Sequence, residues 1–166
     1  MDSLIDKLVK DYPGISFVSG DTFLWSPKKK EIIFINKESK SSVWSLLHEL
    51  GHALLYHTSY DSDLELIQIE ANAWEKASQL GNKYGYKIDT NHIQDCLDTY
   101  RDWLHRRSLC PNCDSQSFQK DSRKYRCFNC NAEWCVSSSR LCRPYRLLKH
   151  TKKEMLPEID SLTTFQ

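Results

Sequence analysis

His48 and His52 stand four residues apart in the stretch HELGH (48–52), with Glu49 beside the first and apolar residues on either side. On a helix, positions i and i+4 share a face, so both imidazoles can be aimed at one ion. Zinc held in this way keeps an open position for water and lowers that water's pKa toward about 7. Glu49 is placed to accept the water's proton as general base and to deliver one to a leaving amine. The chemistry expected is hydrolysis of a peptide bond. Gly51 sits inside the same helix, where it costs ~1 kcal/mol against alanine but lets another backbone approach closely.

Two imidazoles do not complete such a site. A metzincin-type extension needs glycine three residues past the second histidine and histidine six past it. Those positions hold Leu55 and Thr58, so that class is excluded. His57 lies five residues past His52, about 140° around a continuous helix, and is set aside as a ligand on that ground. The better candidate is Glu70, eighteen residues beyond His52 in IEANAWEKA, on a helix that a short loop folds back against the first. Glu65 and Glu75 are the competing acids. Glu65 stands at the helix start, where capping accounts for it, and Glu75 lies about 140° around from Glu70.

A second cluster is built from cysteine. Cys110 and Cys113 form one CxxC pair, Cys127 and Cys130 another, with thirteen residues between them. Two such knuckles are the usual holders of a structural zinc, and four thiolates leave no position open for chemistry. Tyr125 and Trp134 flank the second knuckle and can cover a small core. About 30 residues cannot bury enough apolar surface without such a metal. Cys135 and Cys142 lie just beyond and are read as free thiols that could also substitute as ligands; Cys96 stands apart. Seven cysteines is an odd number, and the amino-terminal MDSLIDKLVKDY lacks the apolar run of an export signal. Metal ligation in a reducing, cytoplasmic setting is therefore expected rather than disulfides. No run of 18 apolar residues suggests a membrane helix.

The elements that must position these groups follow from periodicity. Leu4, Ile5, Leu8 and Val9 predict a helix over 2–11, ended by Pro13-Gly14. ISFVSG, TFLW and EIIFI read as short strands, with SPKKK turning the last two into a hairpin over 22–35. EIIFIN reads either as an edge strand, on which an extended substrate would add, or simply as a cover for the core. Helices are expected over 41–57, opened by Ser41 or Ser42, over 63–83, opened by the Ser62–Glu65 capping box, and over 90–107. Tyr56, Tyr84, Tyr86 and Tyr100 are all candidates to stabilise an oxyanion.

Charge divides the chain. Residues 1–100 carry ten lysines, no arginine and fifteen acids, a net of −5, while residues 101–153 carry a net of +9. The basic residues Arg123, Lys124, Arg126, Arg140, Arg143, Arg146 and Lys149, with Arg106 and Arg107, can track a phosphate backbone, with Tyr145 or Phe128 stacking on a base.

HELGHALLYH followed by IEANAWEKA resembles the ImmA/IrrE family of small zinc metallopeptidases, over about residues 1–105. The resemblance implies Glu70 as third ligand and a narrow range of protein substrates, often DNA-binding regulators. The chain departs from the family pattern at WEKASQLGNK, which bears on the wall of the substrate cleft rather than on the zinc site. A weaker likeness is to SprT-type proteases, which also join HExxH to a zinc ribbon. Their third ligand is a later histidine, whereas His92 and His105 here belong to the third long helix.

The expectation is an α+β protein. A small zincin-like metallopeptidase domain spans 1–107, a zinc ribbon 108–136, and a basic tail 137–166. It would bind two Zn2+ per chain, one catalytic and one structural, and act on a protein substrate, with nucleic acid as a second partner and no membrane. The rival is a non-catalytic regulator or adaptor that keeps a protease-like fold for the sake of the ribbon. Intact Glu49 argues against it.

Overall fold

Leu4 and Leu8, one turn apart, pin the first helix, α1 (Asp2–Asp11), to the core, both almost wholly buried. The structure, a computed structural model, describes residues 1–137 and 146–148. Three short strands follow α1: β1 (Ser16–Ser19), β2 (Leu24–Ser26) and β3 (Glu31–Phe34). β2 and β3 form the expected antiparallel hairpin, with Trp25 opposite Ile32. β1 runs parallel to β3 on its other side, so the spatial order is β1-β3-β2. EIIFIN is therefore the centre of the sheet and not its edge. Both sides of β3 are paired, its Ile32 and Phe34 point into the core, and β2 is the strand with a free side near the helices.

The second helix, α2 (Lys40–Leu54), is capped by Ser39, whose hydroxyl accepts from the Ser42 backbone N–H at 3.0 Å. Val43, Leu46, Leu47, Leu50 and Ala53 form its buried stripe. Each fully buried leucine contributes about 1.5–3 kcal/mol. α2 ends at Leu54, three residues short of the expected limit, and Tyr56 takes a left-handed φ of 56° that turns the chain aside. The third helix, α3 (Asp63–Tyr84), opens on Ser62, which accepts from the Glu65 N–H at 3.1 Å. Glu65 in return accepts from the Asp61 N–H at 2.7 Å, so capping does account for this acid. Gly85, at φ 83°, closes α3, and Asp89 caps the fourth helix, α4 (Thr90–Ser108).

α2 and α3 touch backbone to backbone at Gly51. A side chain there would meet the Ala73 carbonyl oxygen at 2.6 Å, so only glycine permits the approach. This contact lies one residue from His52 and three from Glu70, and it sets the gap between the two helices that carry them.

The chain then forms a second sheet, antiparallel, of β4 (Phe118–Asp121), β5 (Lys124–Arg126), β6 (Glu133–Val136) and β7 (Arg146–Leu148), in that spatial order. Its core is small: Tyr125 stacks on Trp134 at 5.5 Å between centroids, with Val136 and two of the cysteines buried around them. A buried polar knot seats this sheet on the helices. Arg107, at the end of α4, donates from Nε to Asp63 Oδ2 at 2.7 Å and from Nη1 to the Ser137 carbonyl. The Tyr125 hydroxyl donates to the same Asp63 carboxylate, and Trp134 Nε1 donates to the Arg107 carbonyl at 2.9 Å. The guanidinium also lies 4.2 Å over the Trp103 ring. Among the described residues no helix is long and apolar enough to cross a membrane.

Candidate metal centres

The i, i+4 spacing on α2 brings His48 Nε2 and His52 Nε2 to 3.0 Å of one another, with the two rings nearly perpendicular. From α3, Glu70 Oε2 reaches 3.2 Å from the first and 3.6 Å from the second. Ligand atoms around a tetrahedral zinc stand roughly 3.3–3.5 Å apart, so the three atoms have the spacing of a shared ion. Glu70 and His48 are both buried. Burial alone would raise the Glu70 carboxyl, but the His48 and His52 imidazoles beside it outweigh burial and hold the group well below the usual carboxylate range. Glu70 therefore stays an anion, the form a metal needs. His48 is held from behind by stacking on Trp74 at 4.2 Å, and its Nδ1 is buried with no hydrogen-bond partner among the described residues.

Glu49 is outside this group of three and points to the sheet. Its Oε2 accepts a 2.7 Å hydrogen bond from the Trp25 backbone N–H on the free side of β2. Ligands and Glu49 together line a cavity of about 670 Å³, whose other walls include Leu24, Tyr60, Leu66, Ile69 and Tyr100. A larger hollow of about 870 Å³ between Lys40, Trp44 and Tyr86 contains none of these groups. Geometry, rather than size, marks the smaller one.

His57 is not where a continuous helix would put it. Because α2 stops at Leu54, the chain folds back and sets His57 Nδ1 2.9 Å from His52 Nδ1. It joins neither candidate group but stands directly behind His52. Burial, and after it the neighbouring His52, push the His57 imidazole below its ordinary value. Helical spacing missed this residue; the only signal was a third histidine close to the pair. Of the four tyrosines, Tyr100 lines the cavity. Tyr56 projects into solvent, Tyr84 donates to Asp11, and Tyr86 lines the other hollow.

Comparison of the chain with known protein families, curated proteins and solved structures finds no match. The site must be read from its own atoms.

The four cysteines also converge. Cys110 Sγ lies 3.6 Å from Cys130 Sγ and Cys113 Sγ 3.5 Å from Cys127 Sγ, all four sulfurs within 4.8 Å of one another. Four sulfurs at about 2.3 Å from one zinc stand roughly 3.8 Å apart, so this set fits too. The Asn112 and Cys130 backbone N–H groups point at Cys110 and Cys127 sulfurs. The Ser115 hydrogen bonds bring the Cys113 thiol down to about 6, whereas burial pushes Cys110 up to about 11. Cys96 and Cys135 are outside the cluster, and Cys142 lies outside the described residues.

The basic residues are less uniform than the sequence suggests. Arg107 is buried on Asp63 and cannot meet a phosphate, which corrects its place in that set. Lys124 pairs with Asp121 at 2.9 Å, and Arg126 donates to the Asn131 side chain at 3.4 Å. Arg123 is exposed, and Arg146 donates to the Leu109 carbonyl at 2.6 Å. Arg140, Arg143, Tyr145 and Lys149 lie outside the described residues.

Proposed function

We propose that this chain is a zinc-dependent endopeptidase of narrow specificity, with His48, His52 and Glu70 holding the catalytic metal and Glu49 serving as base. The observation that carries the reading is the convergence of those three ligand atoms at the rim of a cavity that also holds Glu49. The resemblance of HELGHALLYH and IEANAWEKA to the ImmA/IrrE peptidases supports it. Zinc held there would supply an acidic water and polarise a peptide carbonyl. Glu49, whose carboxylate the Trp25 N–H keeps in place, would take up a proton as base and return it to the departing amine. β2, not β3, is the edge on which an extended substrate can pair, through groups other than the Trp25 N–H, which Glu49 holds. Tyr60 and Tyr100 both line the cavity and are its candidate oxyanion donors. The Cys110, Cys113, Cys127 and Cys130 ribbon carries a structural zinc. With the basic tail it recruits the substrate or places the enzyme on nucleic acid.

Glu49→Gln tests the reading. The variant should keep both metals, retain a bound protein or peptide on purification, and cleave it about 10²–10⁴-fold more slowly than wild type. Equal cleavage by both proteins would sink the assigned mechanism. A retained partner that neither protein cuts would favour a non-catalytic adaptor.

A further inference from the structure

We propose that His57 is the positioning residue for His52: its Nδ1 accepts the Nδ1–H of His52 and so fixes the tautomer and ring plane that leave His52 Nε2 free for the metal. The inference rests on the metal reading above. The 2.9 Å contact joins Nδ1 to Nδ1, and His52 Nε2 is the atom gathered with His48 and Glu70. A histidine that ligates through Nε2 carries its proton on Nδ1. The donor in this pair is therefore His52, and His57 must offer a lone pair. Ligating histidines usually donate to a carboxylate, a carbonyl or water. Here a second imidazole takes that place.

His57 is held for the task by its own backbone. Its N–H donates to the His52 carbonyl at 3.1 Å, so the residue is tied to the one its ring serves. Its carbonyl accepts from Trp25 Nε1 at 3.1 Å. The preceding Tyr56 sits at φ 56°, a left-handed conformation that makes the return possible. Trp25 also holds Glu49 through its backbone N–H. One residue of β2 thus braces the base directly and a ligand through His57. His48 is oriented differently, by the face of Trp74.

The test compares His57→Phe, which keeps a ring of similar size with no acceptor, with His57→Asn, whose Oδ1 accepts at the place of Nδ1. Zinc affinity of the His/Glu site, read by chelator competition on the full chain, should fall about 10- to 100-fold in His57→Phe. It should recover most of the way in His57→Asn. With cobalt as probe, the thiolate bands of the cysteine cluster should be alike in all three proteins, showing the variants folded. The d–d bands of the other site should change in His57→Phe alone. A His57→Phe protein with wild-type affinity, or a His57→Asn protein as weak as it, overturns the proposal. A wild type whose metal sits on the cysteines alone, with none on His48, His52 and Glu70, overturns it together with the peptidase reading. Two metals and the Phe/Asn difference without any peptide cleavage would uphold His57 and overturn the peptidase alone.

Discussion

The two clusters of ligands reach similar spacings by opposite routes. In the cysteine cluster each pair is built by its own few residues. Asp114 and Asn131 occupy the same place after the first cysteine of each pair, both at left-handed φ, 54° and 59°. Their N–H groups return to the Cys110 and Cys127 carbonyls at 3.0 and 3.1 Å. The His48, His52 and Glu70 site has no such local frame. It depends on two helices meeting at Gly51, on Trp74 behind one histidine and on His57 behind the other. The cysteine pairs carry their geometry with them, beside a core of little more than Tyr125, Trp134 and Val136. His48, His52 and Glu70 borrow theirs from the larger core of the helices.

The largest effect expected breaks this contrast or upholds it. Cys110→Ser should lose one of two bound zinc ions and unfold residues 108–136, since structural zinc supplies about 10–16 kcal/mol to domains of this kind. His48→Ala should lose the other ion and leave the helices as they are. Metal counting by mass spectrometry with hydrogen exchange over both regions reads the result. Loss of protection in α2 and α3 on removing the His48 metal would show that this site is not prebuilt.

A smaller effect tests how far the regions are separate at all. Asp63 opens α3, Arg107 ends α4 and Tyr125 belongs to the ribbon sheet, yet the three share one buried contact. Arg107→Ala strands the Asp63 carboxylate and should cost about 3–5 kcal/mol in urea unfolding. The double variant Arg107→Ala/Asp63→Ala should recover part of that loss. A penalty confined to the ribbon would mean the knot braces the ribbon alone.

What the sequence disclosed follows the same division. The i, i+4 histidines, the two CxxC pairs and the Ser62–Glu65 cap are local patterns, and the structure places each as its spacing implies. Glu70 was reachable because an acid on a returning helix has few competitors. The misplaced features all depend on distant partners. Nothing in EIIFIN announces that β1 will pair in parallel along its far side. No glycine or proline follows Leu54, so the end of α2, and with it the return of His57, left no mark. Arg107 looks like one more surface cation until Asp63, 44 residues earlier, closes over it.

Gly51 is where a local signal and a distant contact coincide, and it carries the smallest of these effects. Its permissiveness is visible in HELGH, and its use is the 2.6 Å approach to the Ala73 carbonyl. Gly51→Ala improves helix propensity by ~1 kcal/mol. It also drives a methyl group into backbone that cannot rotate away, an overpacking that typically costs about 1–3 kcal/mol. The second term should win, by a margin of about 2 kcal/mol at most. Because the displaced segment carries Glu70, zinc affinity at the histidine site should fall with stability, while the cysteine cluster keeps its metal. A Gly51→Ala protein that gains stability at unchanged affinity would mean that α3 can shift without moving Glu70. The histidine site would then be a more local structure than the comparison with the ribbon makes it.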